Sequence, residues 1–173
     1  RSRGLGDVYK RQIPSRVFLR QDFSSNLAMD KAIGDYLDAL NIDLIVLAGY
    51  MKILTNPFTQ RFAGKILNIH PSLLPKYPGI HTYQRALENG DSEHGTTVHF
   101  VNEEIDAGAI VLQAKVPIFP GDTVEEIELR TREQEYNIYP LVIKWFIEDR
   151  LKLIENQAYL DGKLLPPNGY AYE

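Results

Sequence analysis

Asn68 and His70 stand two residues apart where the apolar run Ile66–Ile69 gives way to a loop marked by Pro71, Pro75 and Pro78 and closed by Gly79. On a β-strand, residues i and i+2 share a face, so the amide and the imidazole converge on one spot. Asp106 sits in a polar loop, 102–108, between two further apolar segments. The chain has no cysteine, and Ser72 lacks the Gly-x-Ser-x-Gly setting of an activated serine. An Asn, a His and an Asp without a nucleophile of their own fit acyl transfer to an amine carried by the substrate. That reaction needs donors for the oxyanion, which Asn68 and a protonated His70 are. It also needs a carboxylate that favours the imidazolium, a role Asp106 can fill, and a base for the proton of the attacking amine, directly or through water. Spacing alone leaves the structural readings open: an Asn that caps, a His satisfied in the core, a loop Asp facing water.

Alternating elements must position these groups. Ser24 or Ser25 caps a helix whose apolar face is Leu27, Ala32, Ile33, Tyr36, Leu37 and Leu40. Leu44–Ala48 is an unbroken apolar run, the mark of a strand covered on both faces. Asn56-Pro57 opens a short helix that Gly64 ends. Thr82–Asn89 reads as a helix, and Thr96–Val101 and Ala109–Pro117 as strands. Thr123 with Glu126 forms a capping box for a long helix that should kink or break near Pro140. In the tail, the Asp161-Gly162 turn between apolar flanks signals a hairpin. The predicted fold is α/β: an open, mainly parallel Rossmann-like sheet flanked by helices, with an antiparallel C-terminal hairpin. Such sheets bind ligands outside the carboxyl ends of their strands. The segments 48–54, 68–78 and 101–106 lie at those ends.

The 173 residues are 44% apolar and 24% charged, an ordinary globular composition for one domain. The absence of cysteine excludes a disulfide scaffold, a Cys-ligated metal centre and a thiol nucleophile. A net charge of −4 gives no basic field for nucleic acid or acidic lipid, and no apolar run approaches the ~20 residues of a membrane span. A cytoplasmic protein with no nucleic-acid or membrane partner is expected. The four histidines, at 70, 81, 94 and 99, lack metal-ligand spacing, so no metal is expected. His94 and His99 can approach the site, whereas His81 reads as helix-entry structure. Residues 1–12 carry no apolar periodicity and are read as a non-native segment, which leaves 13–173 as the catalytic domain.

The string Asn68-Ile69-His70-Pro71-Ser72-Leu73-Leu74-Pro75 resembles the signature of the folate-dependent formyltransferases. Lys76-Tyr77-Pro78-Gly79, His94-Gly95-Thr96-Thr97-Val98-His99-Phe100-Val101, Ile105-Asp106-Ala107-Gly108 and Ile110-Val111-Leu112-Gln113 are similar to the phosphoribosylglycinamide branch in particular. The likeness runs from about Pro14 to Glu173. It implies formyl transfer from 10-formyltetrahydrofolate, as cosubstrate, to the amine of glycinamide ribonucleotide. By the resemblance, Asn68, His70 and Asp106 are the catalytic trio, with Asn68 holding the formyl oxygen. The folate would lie along Met51, Lys52, Ile53 and Leu54, beside Asn68, and against the loop of Asn102, Glu103, Glu104, Ile105 and Asp106. The ribonucleotide would meet Arg132, Glu133, Gln134 and Glu135, with Glu135 toward the amine. From the residues alone, Ile53 and Leu54 read equally as core, and 132–135 as a solvated helix face.

Members of this family open with a strand, a glycine-rich phosphate loop and a helix, and nothing here matches that unit. The expectation is therefore a domain incomplete at its N-terminus, lacking its first β-α-β unit, with little or no turnover as it stands. Asn26 replaces a basic residue that many relatives direct at the folate tail. The alternatives are an inactive or folate-binding fragment, and a formyltransferase acting on another amine, such as methionyl-tRNA or an amino sugar.

Overall fold

The structure, a computed structural model, describes residues 14–170, so the segment read as non-native, 1–12, lies outside the described residues. The chain divides into two compact units, Arg1–Asn41 and Ile42–Glu173. In the first, a single 3₁₀ turn, Arg20–Asp22, precedes helix α1, Asn26–Ala39. Ser25 is its cap, accepting the Ala28 N–H on its hydroxyl. Met29, Asp30 and Gly34 are the buried positions of α1, and Leu27 and Leu40 of the expected apolar face are exposed.

The second unit is built on a four-stranded sheet in the order β1 (Ile45–Leu47), β2 (Ile66–His70), β3 (Glu93–Phe100), β4 (Ile110–Pro117). β1 and β2 are parallel, and β3 and β4 add antiparallel ladders beyond them. The crossover from β1 to β2 is the short helix α2, Asn56–Arg61, with proline in its first turn as the sequence predicts. Helix α3, Thr82–Glu88, links β2 to β3. β1 is the edge strand, and its Val46 is exposed, so the doubly covered strand predicted from Leu44–Ala48 is only partly covered among the described residues. The register sets Asn68 opposite His99, His70 opposite Thr97, and Thr97 opposite Gln113. Because side chains alternate between faces, one face of β2–β3–β4 carries this polar row.

Leu67, Val98, Phe100, Leu112 and Ala114 form an apolar core with Ile138, Tyr139, Val142 and Trp145 of helix α4, Val124–Ile147. The capping box is complete: Thr123 accepts the Glu126 N–H, and the Glu126 carboxylate accepts the Thr123 N–H. Such a pair stabilises a helix start by about 1 kcal/mol. The break expected at Pro140 does not occur, and α4 runs through it unbroken. Proline deletes one hydrogen bond, and the carbonyl it would have engaged belongs to Tyr136, an exposed residue. The buried residues on either side of Pro140 hold the helix onto the sheet. The Tyr139 hydroxyl reinforces this, donating to the Leu47 carbonyl at 2.6 Å with the Leu67 carbonyl oxygen 3.1 Å away.

The tail forms a second antiparallel sheet, β5 (Leu151–Ile154), β6 (Gln157–Leu160) and β7 (Lys163–Leu164). Its Asp161-Gly162 turn has φ of +51° and +75°, the left-handed pair a tight hairpin requires. The turn joining β5 to β6, Glu155-Asn156, adopts the same pair and was not signalled by its residue types. Beyond β7, Tyr170 pairs with Leu112 of β4 and stacks edge-on to Trp145 at 5.4 Å.

Candidate active site

Asn68 and His70 leave β2 on the polar face, and β3 supplies His99 as a partner for Asn68. The His99 ring is fully buried, and its Nδ1–H donates to the Phe100 carbonyl at 2.8 Å. Burial pushes the His99 pKa down, which keeps the ring neutral. With Nδ1 protonated, Nε2 offers a lone pair to the Asn68 Nδ2–H at 3.4 Å. This contact fixes which end of the Asn68 amide faces inward and leaves its second N–H unspent.

Asp106 enters from the loop after β3. Its Oδ2 lies 3.5 Å from His70 Nδ1, and its Oδ1 lies 3.9 Å from His99 Nε2. Its backbone is left-handed, φ +51°, a conformation Asp tolerates better than most residues. Close by, the chain passes so near the end of β3 that a Cβ on Gly108 would sit 1.7 Å from the Phe100 carbonyl oxygen. Only glycine permits this approach. The Phe100 carbonyl thus accepts from His99 and abuts the loop that carries Asp106.

The proline loop reaches both groups through its backbone. The Tyr77 carbonyl accepts from His70 Nε2 at 2.9 Å, and the Gly79 N–H donates to Asp106 Oδ2 at 2.8 Å. Both ring nitrogens of His70 therefore face acceptors, an arrangement the imidazolium satisfies. The loop is pinned from beneath by buried Thr97, whose hydroxyl donates to the Ser72 carbonyl (2.7 Å) and accepts from the Leu74 N–H (3.1 Å). Gln113 completes the tie, its amide donating to Thr97 Oγ1 and to the Leu74 carbonyl at 2.9 and 2.8 Å. His94 holds the loop's first residue, Nε2 donating to the Pro71 carbonyl at 2.8 Å, and burial lowers its pKa. His81 lies at the entry to α3, as its position in the sequence implies, in a left-handed conformation.

Beside the His70 end of β2, Glu135 of α4 meets β3. The Thr96 hydroxyl lies 3.4 Å from Glu135 Oε1 and 3.0 Å from the His70 carbonyl. Burial pushes the Glu135 carboxyl above its ordinary value, against the pull of the Thr96 contact and of Arg132. Arg132 pairs with Glu128 at the surface, Glu133 is exposed and Gln134 is half-buried, whereas Glu135 reaches the sheet at Thr96.

Met51, Ile53 and Ile105 are 82%, 66% and 56% exposed, so the reading of Ile53 as core fails. Leu54 is half-buried and Lys52 exposed. Asn102 turns its carboxamide back onto the Glu104 N–H at 2.9 Å, and Glu103 accepts from Gln60 of α2 at 2.5 Å. Among the described residues no group of three or more His, Asp or Glu is disposed to hold a metal ion. No helix among them is long and apolar enough to cross a membrane.

Sequence reasoning gave His99 no definite role and passed over Thr96, Thr97 and Gln113. The available signal was polar residues at alternate positions of β3, directly across from Asn68 and His70.

A Rossmann-like sheet with Asn, His and Asp gathered at the end of β2 defines a class. The chain belongs to the formyl transferase family, whose model matches residues 1–143. It is 75% identical to the phosphoribosylglycinamide formyltransferase of Haemophilus influenzae, over 98% of this chain and 80% of that protein. It is 52% identical to the Escherichia coli enzyme of the same name, over 97% of this chain and 79% of the relative. The phosphoribosylglycinamide formyltransferase structure from Coxiella burnetii superposes with a TM-score of 0.91 at 40% identity, covering 96% of this chain and 78% of that one.

Proposed function

We propose that this protein transfers the formyl group of 10-formyltetrahydrofolate to the amine of glycinamide ribonucleotide, with Asn68, His70 and Asp106 as the catalytic trio. The observation that carries the reading is the convergence of these three groups, joined through His99, in a chain so similar to enzymes named for that activity.

The amine nitrogen attacks the formyl carbon, and the carbonyl oxygen takes up negative charge. The unspent N–H of Asn68 supplies a donor to that oxygen and the positive charge of the His70 imidazolium stands beside it, both in place before charge develops. His70 Nε2 is committed to the Tyr77 carbonyl, so the proton that moves is the one on Nδ1, where Asp106 stands at a looser 3.5 Å. As the bond from carbon to the folate nitrogen breaks, that proton passes to the leaving nitrogen. The proton released by the amine returns to the pair of His70 and Asp106 directly or through water, and the balance closes. The exposed side chains of Met51, Ile53 and Ile105 offer apolar surface for the pterin, and Glu135 meets the amine.

The test mixes purified protein, extended at its N-terminus to the length of its relatives, with both substrates and follows the release of tetrahydrofolate by absorbance and of formylated product by mass spectrometry. Product that depends on both substrates is expected. Formate released at the same rate without the amine, or a strict requirement for a different amine, would overturn the reading.

A further inference from the structure

We propose that Thr96 is a positioning residue for Glu135, its single hydroxyl hydrogen shared between the His70 carbonyl and the Glu135 carboxylate so that the carboxylate is held ionised for the substrate amine. The proposal rests on the reading of Glu135 as the group that meets that amine.

Thr96 is completely buried on the face of β3 that packs against α4. A valine of nearly the same shape would suit such a strand position, so the hydroxyl is costly there unless it is used. It has two neighbours, the His70 carbonyl at 3.0 Å and Glu135 Oε1 at 3.4 Å. A carbonyl oxygen only accepts, an ionised carboxylate only accepts, and a hydroxyl has one hydrogen to give. Shared with Oε1, that hydrogen favours the ionised carboxylate and works against burial, which favours the protonated one.

The ionised carboxylate, held by the Thr96 O–H, receives the substrate ammonium. One N–H bond then breaks and one O–H bond forms on the carboxylate, leaving a neutral amine ready to attack. The other groups facing Glu135 leave room for this exchange. From α3 comes Tyr83, whose phenol burial holds neutral, and from α4 come Glu128 and Arg132, which neutralise each other as a pair. The same hydroxyl thus links the backbone of His70 to the carboxyl on the helix.

Thr96→Val removes the hydroxyl and keeps the shape, and Thr96→Ser keeps the hydroxyl. Carbon-13 NMR of the Glu135 carboxyl in the unliganded protein reads the link without reference to turnover. Thr96→Val should tighten proton binding at Glu135 roughly tenfold, and Thr96→Ser should restore it. In steady-state assays, Thr96→Val should raise KM for the amine substrate roughly tenfold and move the acidic limb of kcat/KM to higher pH, with KM for formyl folate unchanged. Adding it to Glu135→Gln should cost nothing further. An unmoved Glu135 titration in Thr96→Val, with or without a loss of thermal stability, would overturn the link. A moved titration with an amine KM indifferent to Glu135→Gln would sink the reading of Glu135, and the role proposed for Thr96 with it.

Discussion

His70 Nδ1 and Asp106 Oδ2 face each other at 3.5 Å although they come from opposite ends of β3's neighbourhood, one from the last residue of β2 and one from a left-handed loop residue. A pair so placed holds a proton between a donor and the group that stabilises it. Asp106→Asn keeps the shape and removes the charge, and His70→Ala removes the donor. Each is expected to lower formyl transfer by roughly 10²–10⁴-fold with the cooperative unfolding transition retained. Initial rates paired with a thermal melt check this, and full activity in either variant would refute the assignment.

Gly108→Ala tests the close approach behind Asp106. A methyl group there would meet the Phe100 carbonyl at 1.7 Å, so the loop must back away. A loss of about 1–3 kcal/mol is expected from the forced shift. Activity should fall further than stability, because the displaced carbonyl also holds His99. Gly90→Ala is the control: its Cβ would meet nothing within 4 Å, and its φ of +66° costs only about 1 kcal/mol. Urea midpoints and rates measured together separate the two variants.

Ile53→Ser probes the exposed apolar surface beside the site. Ile53 makes little core contact, so the melting temperature should hardly move. Covering such a side chain with ligand contributes about 1.5 kcal/mol, so KM for formyl folate should rise roughly tenfold. Unchanged folate affinity would remove Met51–Leu54 from the binding surface.

The histidines give stability a pH dependence of definite sign. Burial lowers the pKa of both His94 and His99, so between their folded and unfolded values the unfolded chain binds more protons. Their contribution is fully present above about pH 6.5 and is lost as pH falls below it. Glu135, raised by burial, acts in the opposite sense, its contribution being lost as pH rises through its folded value. Two groups against one predict urea midpoints that fall from pH 7 toward pH 5. His99→Leu should flatten that slope, and an unchanged slope would contradict the neutral, buried ring.

What the sequence disclosed followed short-range rules. Alternation along β2 put Asn68 and His70 on one face, and Thr123 with Glu126 marked the start of α4. Pro140 misled because a local rule was overridden by Ile138, Tyr139 and Val142 on the sheet. Val46 read as covered because apolarity reports what a strand prefers and not which strands stand beside it. The placement of Asp106 was legible only as resemblance, since its distance from His70 is set by Gly79 and Gly108 acting from separate loops. Thr96, Thr97 and Gln113 escaped notice because a threonine in a strand is ordinary until its cross-strand partner is known. Glu155-Asn156 escaped because the pair lacks the glycine that usually announces a tight turn.

The proline loop serves His70 and Asp106 with a carbonyl from Tyr77 and an amide N–H from Gly79, neither of which a change of side chain other than to proline deletes. Substitution at these two positions therefore probes the shape of the segment and leaves the interacting atoms in place. Replacing the Gly79 amide with an ester removes that donor alone. The lengths of this stretch, more than its letters, are what evolution has to preserve: one residue inserted between Tyr77 and Gly79 would put the pair out of step with the imidazole and the carboxylate together.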